Sequence, residues 1–134
     1  MSMQRTNFAT GTPWEPLVGY SRAVRVGPWV FVSGTTATGP DGALVGIGDP
    51  GAQMRQALAN LRSALERTGA SLEDVVRTRM YVRHIEQWEA IGSEHGAVFA
   101  SIRPASTMVE VSGLVDPAML VEIEADACVT RAGD

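Results

Sequence analysis

The chain has 134 residues and a mass of 14.3 kDa, a size that suits one domain with one hydrophobic core. Its hydrophobic content of 45% excludes a disordered chain, and its formal net charge of −4 disfavours nucleic acid, which clustered cations bind. Because it has neither an apolar run of about 20 residues nor an apolar signal segment near its N-terminus, we expect a cytoplasmic protein with no membrane partner.

Composition also restricts the chemistry. The single cysteine, Cys128, has no cysteine partner and no Cys or His spacing typical of a zinc site. All 11 basic residues are arginine, so no lysine is present to form a Schiff base. The glycines form neither a GxGxxG nor a P-loop pattern. We therefore expect no metal and no cofactor.

The first third of the chain is predicted to be β structure after an irregular segment of about residues 1–17. β-Branched and aromatic residues on both sides of Gly27-Pro28 predict a hairpin. Leu44 and Val45 follow a Gly- and Pro-containing turn and predict a short third strand.

Helical and strand periods then alternate. From Pro50, apolar residues recur every three or four positions until Gly69, which predicts an amphipathic helix. Period two over residues 75–83 predicts a strand, and a second helix follows from Ile85 to about Ala100. Two final strands are predicted over Ser106–Val111 and Met119–Val129. The order βββαβαββ indicates one α+β domain over residues 1–134, a mixed sheet with two helices on one face.

The other face of this sheet has no cover within the chain, so we expect self-association. In the last strand, Glu122, Glu124 and Asp126 share a face opposite the apolar residues. Two interpretations are open: the acids are solvated or paired with nearby arginines, or Glu122 is a base or hydrogen-bond acceptor in a cleft. His95 and His84 have no serine or cysteine partner that would indicate a nucleophilic triad.

Three stretches together resemble the Rid (reactive intermediate deaminase, or YjgF-like) superfamily over about residues 18–130. They are VRVGPWVFVSGTTATGPDG, MRQALANLRSALERTGASLEDVVRTRMYV and RPASTMVEVSGLVDPAMLVEIEADA. The resemblance implies a chorismate-mutase-like fold, a homotrimer and ligand clefts between subunits.

The resemblance also implies site residues. In deaminase members, an arginine after Pro-Ala binds the substrate carboxylate and a glutamate on the last strand positions water. Here these positions hold Ser106 and Glu122. Tyr20 matches a ring that lines the cleft, Ser33 and Gly34 match a strand-end turn, and the Met108 amide matches a backbone donor.

A serine hydroxyl cannot replace the planar, charged fork of an arginine, so we expect weak or absent deamination of 2-aminoacrylate. Arg103 lies three positions upstream, but its odd offset from Ser106 turns it in another direction.

Two functions therefore remain. In the first, the protein hydrolyses a C=N bond of a small metabolite and releases ammonia: Glu122 positions water, while Ser106, Tyr20 and backbone amides hold the ligand. In the alternative, a non-enzymatic trimer that has lost deaminase activity binds a small molecule or a protein.

Overall fold

The computed structural model describes residues 3–130, which form one mixed six-stranded sheet with helices packed on one face. The strands are β1 (Arg5–Phe8), β2 (Ala23–Val26), β3 (Trp29–Thr35), β4 (Val75–Val82), β5 (Ala105–Glu110) and β6 (Val121–Cys128). The helices are α1 (Trp14–Val18), α2 (Pro50–Arg67) and α3 (Trp88–Phe99). The strand order across the sheet is β1-β2-β3-β6-β4-β5, and β4 and β5 are the parallel pair. The predicted α+β fold is confirmed.

The hairpin of β2 and β3 forms where the sequence predicts it. Val26 pairs with Trp29 across the Gly27-Pro28 turn. Gly27 has φ +57°, a left-handed conformation that glycine adopts without the steric cost of a Cβ. The local turn residues thus fix this pair of strands.

Helix α2 also begins and ends as predicted. The Asp49 side chain accepts a hydrogen bond from the Ala52 amide at 3.0 Å, and Pro50 occupies the first turn, where its missing N–H is not needed. Gly69 has φ +88° and follows the end of the helix. The apolar side of α2 packs on the sheet through Met54, Leu58, Leu61 and Leu65.

The N-terminal third differs from the prediction in two places. The segment expected to be irregular contains β1, which pairs with the edge of β2, and most of α1. The third strand predicted at Leu44 and Val45 is a single bridge between Thr38 and Leu44. Both differences have one cause: the edge of β2 is taken by a distant segment, a pairing that local sequence does not encode. A short 3-10 turn, Ile85–Gln87, also delays the start of α3 to Trp88.

The two faces of the sheet are chemically different, as the alternation in β6 predicts. Val121, Ile123, Ala125 and Ala127 are buried beneath the helices. The acids between them lie on the face that the helices leave uncovered, where half-buried Glu122 is the first of the series. No helix within residues 3–130 is long and apolar enough to cross a membrane.

Candidate functional site

Glu122 packs its carboxyl group against the backbone of Gly34. The pairing between β3 and β6 shifts register between Val32 and Thr35, and Gly34 lies in this irregularity. A Cβ added to Gly34 would lie 2.8 Å from Cδ and 3.3 Å from Cγ of Glu122. Only a residue without a side chain therefore leaves space for this carboxyl group.

The surroundings of Glu122 favour its protonated form. Burial raises the pKa of the carboxyl group, the positive charge of Arg22 opposes this change, and the negative charge of Glu124 adds to it. The net effect is a raised pKa, closer to neutrality than that of an exposed glutamate. A carboxyl group in this condition can both accept and donate a proton near neutral pH.

Arg22 brings a cation to the same place. Its Nη1 donates to the carbonyl oxygen of Gly34 at 2.7 Å and to Oγ1 of Thr35 at 3.2 Å. Its Cζ lies 5.7 Å from the centroid of the Tyr20 ring, within the range of a cation–π contact. Sequence reasoning missed this residue. The signal was present, because Tyr20 and Arg22 are two positions apart on a segment leading into a strand and so share a side.

Two clefts meet at Tyr20. The larger has a volume of about 840 Å³, and Arg22 and Thr35 also line it. The smaller has a volume of about 720 Å³, and Ser33 lines it. The Ser33 hydroxyl donates to the carbonyl oxygen of Ser21 at 2.6 Å, so its proton is already engaged. Glu122 lines neither cleft in a single chain, and Gly34 connects it to Arg22.

The wall of the larger cleft is held in place by α2. The side-chain amide of Asn60 donates to the carbonyl oxygens of Thr36 and Thr38 at 2.9 and 2.8 Å. These bonds fix the loop after β3, and a fixed loop keeps the opening beside Tyr20 and Arg22 in one shape. Arg67, at the end of α2, adds a second cation to the lining.

Ser106 lies on the opposite face of the sheet from Glu122. It pairs in register with Thr78 of β4, whose side chain is fully buried on the face covered by the helices. The Ser106 and Thr78 hydroxyl oxygens are 2.8 Å apart, and the Thr78 hydroxyl is 2.9 Å from Nε2 of His95. Burial lowers the pKa of His95, which favours a neutral imidazole in this chain of hydrogen bonds.

Met108 occupies the outer edge of the sheet. Its side chain packs against the core, whereas its backbone direction follows from its neighbours. The Val111 amide donates to the Val82 carbonyl oxygen, so alternate residues of β5 face β4 and the residues between them face outward. The Met108 amide therefore lies on the open edge. It is separated from Glu122 by strand β4.

Within one chain, the predicted site residues thus form two separate groups. Tyr20, Ser33, Gly34 and Glu122 lie together at the end of β3, and the structure adds Arg22 to this group. The second group, Ser106 and Met108, lies on edge strand β5. A single site that uses all of them requires a second copy of the chain.

The remaining acids of the uncovered face have partners. The Tyr81 hydroxyl donates to the Glu124 carboxylate, and Arg79 lies 3.4 Å from Asp126 and 4.0 Å from Glu124. The expected pairing of strand acids with strand arginines is confirmed for Arg79. Over residues 3–130, no group of three or more His, Cys, Asp or Glu side chains is arranged to hold a metal ion.

A family model described as Endoribonuclease L-PSP matches residues 10–129. The chain belongs to this family, the YjgF/Rid family. A solved structure of a YjgF/Rid protein, Rv2704 of Mycobacterium tuberculosis, is 49% identical and superposes with a TM-score of 0.85 over 94% of this chain and 100% of that one.

Two relatives extend the comparison. An uncharacterised protein of Streptomyces coelicolor is 39% identical over 118 residues, which are 88% of this chain and 87% of the relative. The 3-aminoacrylate deaminase RutC of Acinetobacter baylyi is 35% identical over 119 residues, 89% of this chain and 93% of RutC. The Rid-like resemblance of the sequence is therefore confirmed, and the chain spans most of each relative.

Proposed function

We propose that this Rid-family protein is a homotrimer that binds a small metabolite in clefts between subunits and hydrolyses a C=N bond with release of ammonia. One observation carries the proposal: a half-buried glutamate with a raised pKa, Glu122, is packed against Gly34 beside Arg22. A carboxyl group in this state suits general acid–base chemistry. The deaminase name of the RutC relative agrees with this chemistry.

The reaction requires one group that moves a proton twice. The imine nitrogen takes a proton from solvent, and the Glu122 carboxylate removes a proton from a water molecule as the water oxygen bonds to the imine carbon. Glu122 then gives this proton to the nitrogen, the C–N bond breaks and ammonia leaves. The hydroxyl proton returns to solvent as the carbonyl forms, so an imine and water become a carbonyl compound and ammonia.

The open sheet face supports the trimer. Trp29 and Phe31 are 43% and 46% exposed there, next to the ladder of acids. Large aromatic side chains on an exposed face indicate a surface that another subunit covers. Association would also bring the Ser106 and Met108 edge of one subunit to the Glu122 group of another.

The test is an ammonia-release assay of the purified protein with 2-aminoacrylate and a panel of uncharged imines, beside Glu122→Gln. Activity that the native protein shows and Glu122→Gln lacks supports hydrolysis. Ligand binding without ammonia release from any imine supports the alternative, a non-enzymatic trimer. The alternative draws on Ser106, whose hydroxyl is already bonded to Thr78 rather than free for a ligand.

A further inference from the structure

The guanidinium of Arg22 has donors to spare. Its Nη1 is used by Gly34 and Thr35, whereas its Nε is buried and has no acceptor. Among the described residues, Arg22 also has no ion-pair partner. Buried donors in folded proteins almost always have an acceptor, and a charged donor without one is costly. An acceptor from outside the chain would account for this arrangement.

The position of Arg22 limits what that acceptor is. The residue lines the 840 Å³ cleft together with Tyr20, and the bonds to Gly34 and Thr35 fix the plane of its guanidinium. A fixed, planar, charged fork matches a carboxylate better than a neutral oxygen, because two parallel N–H groups can donate to the two carboxylate oxygens.

Arg22 also connects the cleft with Glu122. It binds the carbonyl oxygen of Gly34, the residue against which the Glu122 carboxyl group packs, and its charge acts on that carboxyl group. A small acid held by Arg22 would therefore place its neighbouring carbon atoms on the side of Glu122.

We propose that Arg22 is the anion-binding residue of this site and holds the carboxylate of a small monocarboxylic acid ligand, with Tyr20 beside it. The proposal rests on the proposed function in one respect: it takes the Glu122 region as the ligand site. Arg22 supplies the guanidinium that Ser106 does not, so the expectation of a carboxylate-free ligand, which considered Ser106 and Arg103, no longer follows.

Two alternatives compete with anion binding by Arg22. Arg22 holds the irregular end of β3 in place, so a purely structural role is the first. In the second, Arg67, which lines the same cleft, binds the anion instead. The experiment must distinguish a loss of charge recognition from a loss of fold, and Arg22 from Arg67.

The experiment is titration calorimetry of the native oligomer with pyruvate and with pyruvamide, which replaces the carboxylate by a neutral amide. The variants are Arg22→Gln, Arg22→Lys and Arg67→Gln. Arg25→Gln is the matched control, because Arg25 lies three residues away and likewise donates to two backbone carbonyls, those of Gly27 and Thr68. Circular dichroism and light scattering establish that each variant is folded and assembled.

We expect Arg22→Gln to weaken pyruvate binding by about 10- to 100-fold, the effect of one charged hydrogen-bond pair, and to leave pyruvamide binding within about twofold. Arg22→Lys should bind pyruvate with intermediate affinity, since it keeps the charge without the fork. Arg25→Gln and Arg67→Gln should bind as the native protein does.

Three outcomes would overturn the proposal: native-like pyruvate affinity in folded Arg22→Gln, or in Arg22→Lys if Arg22→Gln does not fold; a loss in Arg67→Gln instead; or no pyruvate binding to the native protein at millimolar concentration. The measurement detects binding alone. A failure of hydrolysis would appear separately, as absent ammonia release from every imine.

Discussion

The carboxyl group of Glu122 lies against Gly34 at a distance that a Cβ on Gly34 would occupy. Gly34 belongs to β3 and Glu122 to β6, and the irregular register between these strands brings them together. The contact makes the position of the carboxyl group depend on the absence of one methyl group.

Gly34→Ala should therefore reduce activity more than stability. The displaced atoms belong to the end of a flexible side chain, so the fold can tolerate the change while the carboxyl group moves. A displacement of about 1 Å at a catalytic group can cost roughly 100-fold in rate. Ammonia release and thermal unfolding of the variant measure the two effects.

The matched control for this prediction is Gly92→Ala. An added Cβ at Gly92 meets nothing within 4 Å, and the residue lies inside α3, where alanine is favoured over glycine by roughly 1 kcal/mol. This variant should be more stable and equally active. Native-like activity in Gly34→Ala would contradict a role for the Glu122 position.

Glu122→Gln should lower kcat by about 10²- to 10⁴-fold if the carboxyl group moves protons, and the oligomer should persist. Its stability should be equal or higher at neutral pH. Because burial first of all raises the pKa of Glu122, ionisation weakens the fold: the contribution is complete below the unfolded pKa and is lost as pH rises through the folded pKa.

Unfolding in urea at pH 4 and pH 8 checks the stability part of this prediction. The variant should gain on the native protein as pH rises. An unchanged rate of ammonia release in an intact oligomer would show that Glu122 has a structural role only.

The native protein should have three times the 14.3 kDa mass of one chain in light scattering. Phe31→Glu should dissociate it, since the new carboxylate would lie on the open sheet face opposite Asp126. Trp88→Glu is the control, because Trp88 is 55% exposed on α3 and lies away from that face. A folded native monomer at micromolar concentration would rule out the trimer.

Glu15 should show the opposite dependence of stability on pH. It is 4% exposed, and its carboxylate accepts from the hydroxyls of Thr10 and Thr12 at 2.6 and 2.8 Å. Burial raises the pKa of Glu15, but these hydrogen bonds and the charge of Arg22 together lower it further than burial raises it. Its contribution is present above the unfolded pKa and is lost as pH falls through the folded pKa.

Glu15→Gln should therefore lower the free energy of unfolding by about 1 to 3 kcal/mol at pH 7, the value of hydrogen bonds to a charged group. The difference from the native protein should shrink below about pH 4, where unfolded glutamate is protonated. Urea unfolding at pH 7 and pH 3.5 measures both. A difference that is equal at the two pH values would contradict the prediction.

The sequence by itself determined the features that depend on residues close in the chain. The apolar period of α2, with Asp49 and Pro50 before it and Gly69 after it, specifies a helix and its buried side. The alternation in β6 specifies which face carries Glu122. Such periods are local, so they can be read without knowing the partner strands.

Only the tertiary structure decided which residues meet. Strand β1 forms because its partner edge on β2 is free, and nothing near Arg5–Phe8 announces this pairing. Glu122 meets Gly34 across a shifted register, Arg22 joins them through a carbonyl oxygen, and Ser106 faces away toward Thr78. A two-residue period gives the face of a side chain but not its neighbour on the next strand, because register is set by contacts distant in sequence.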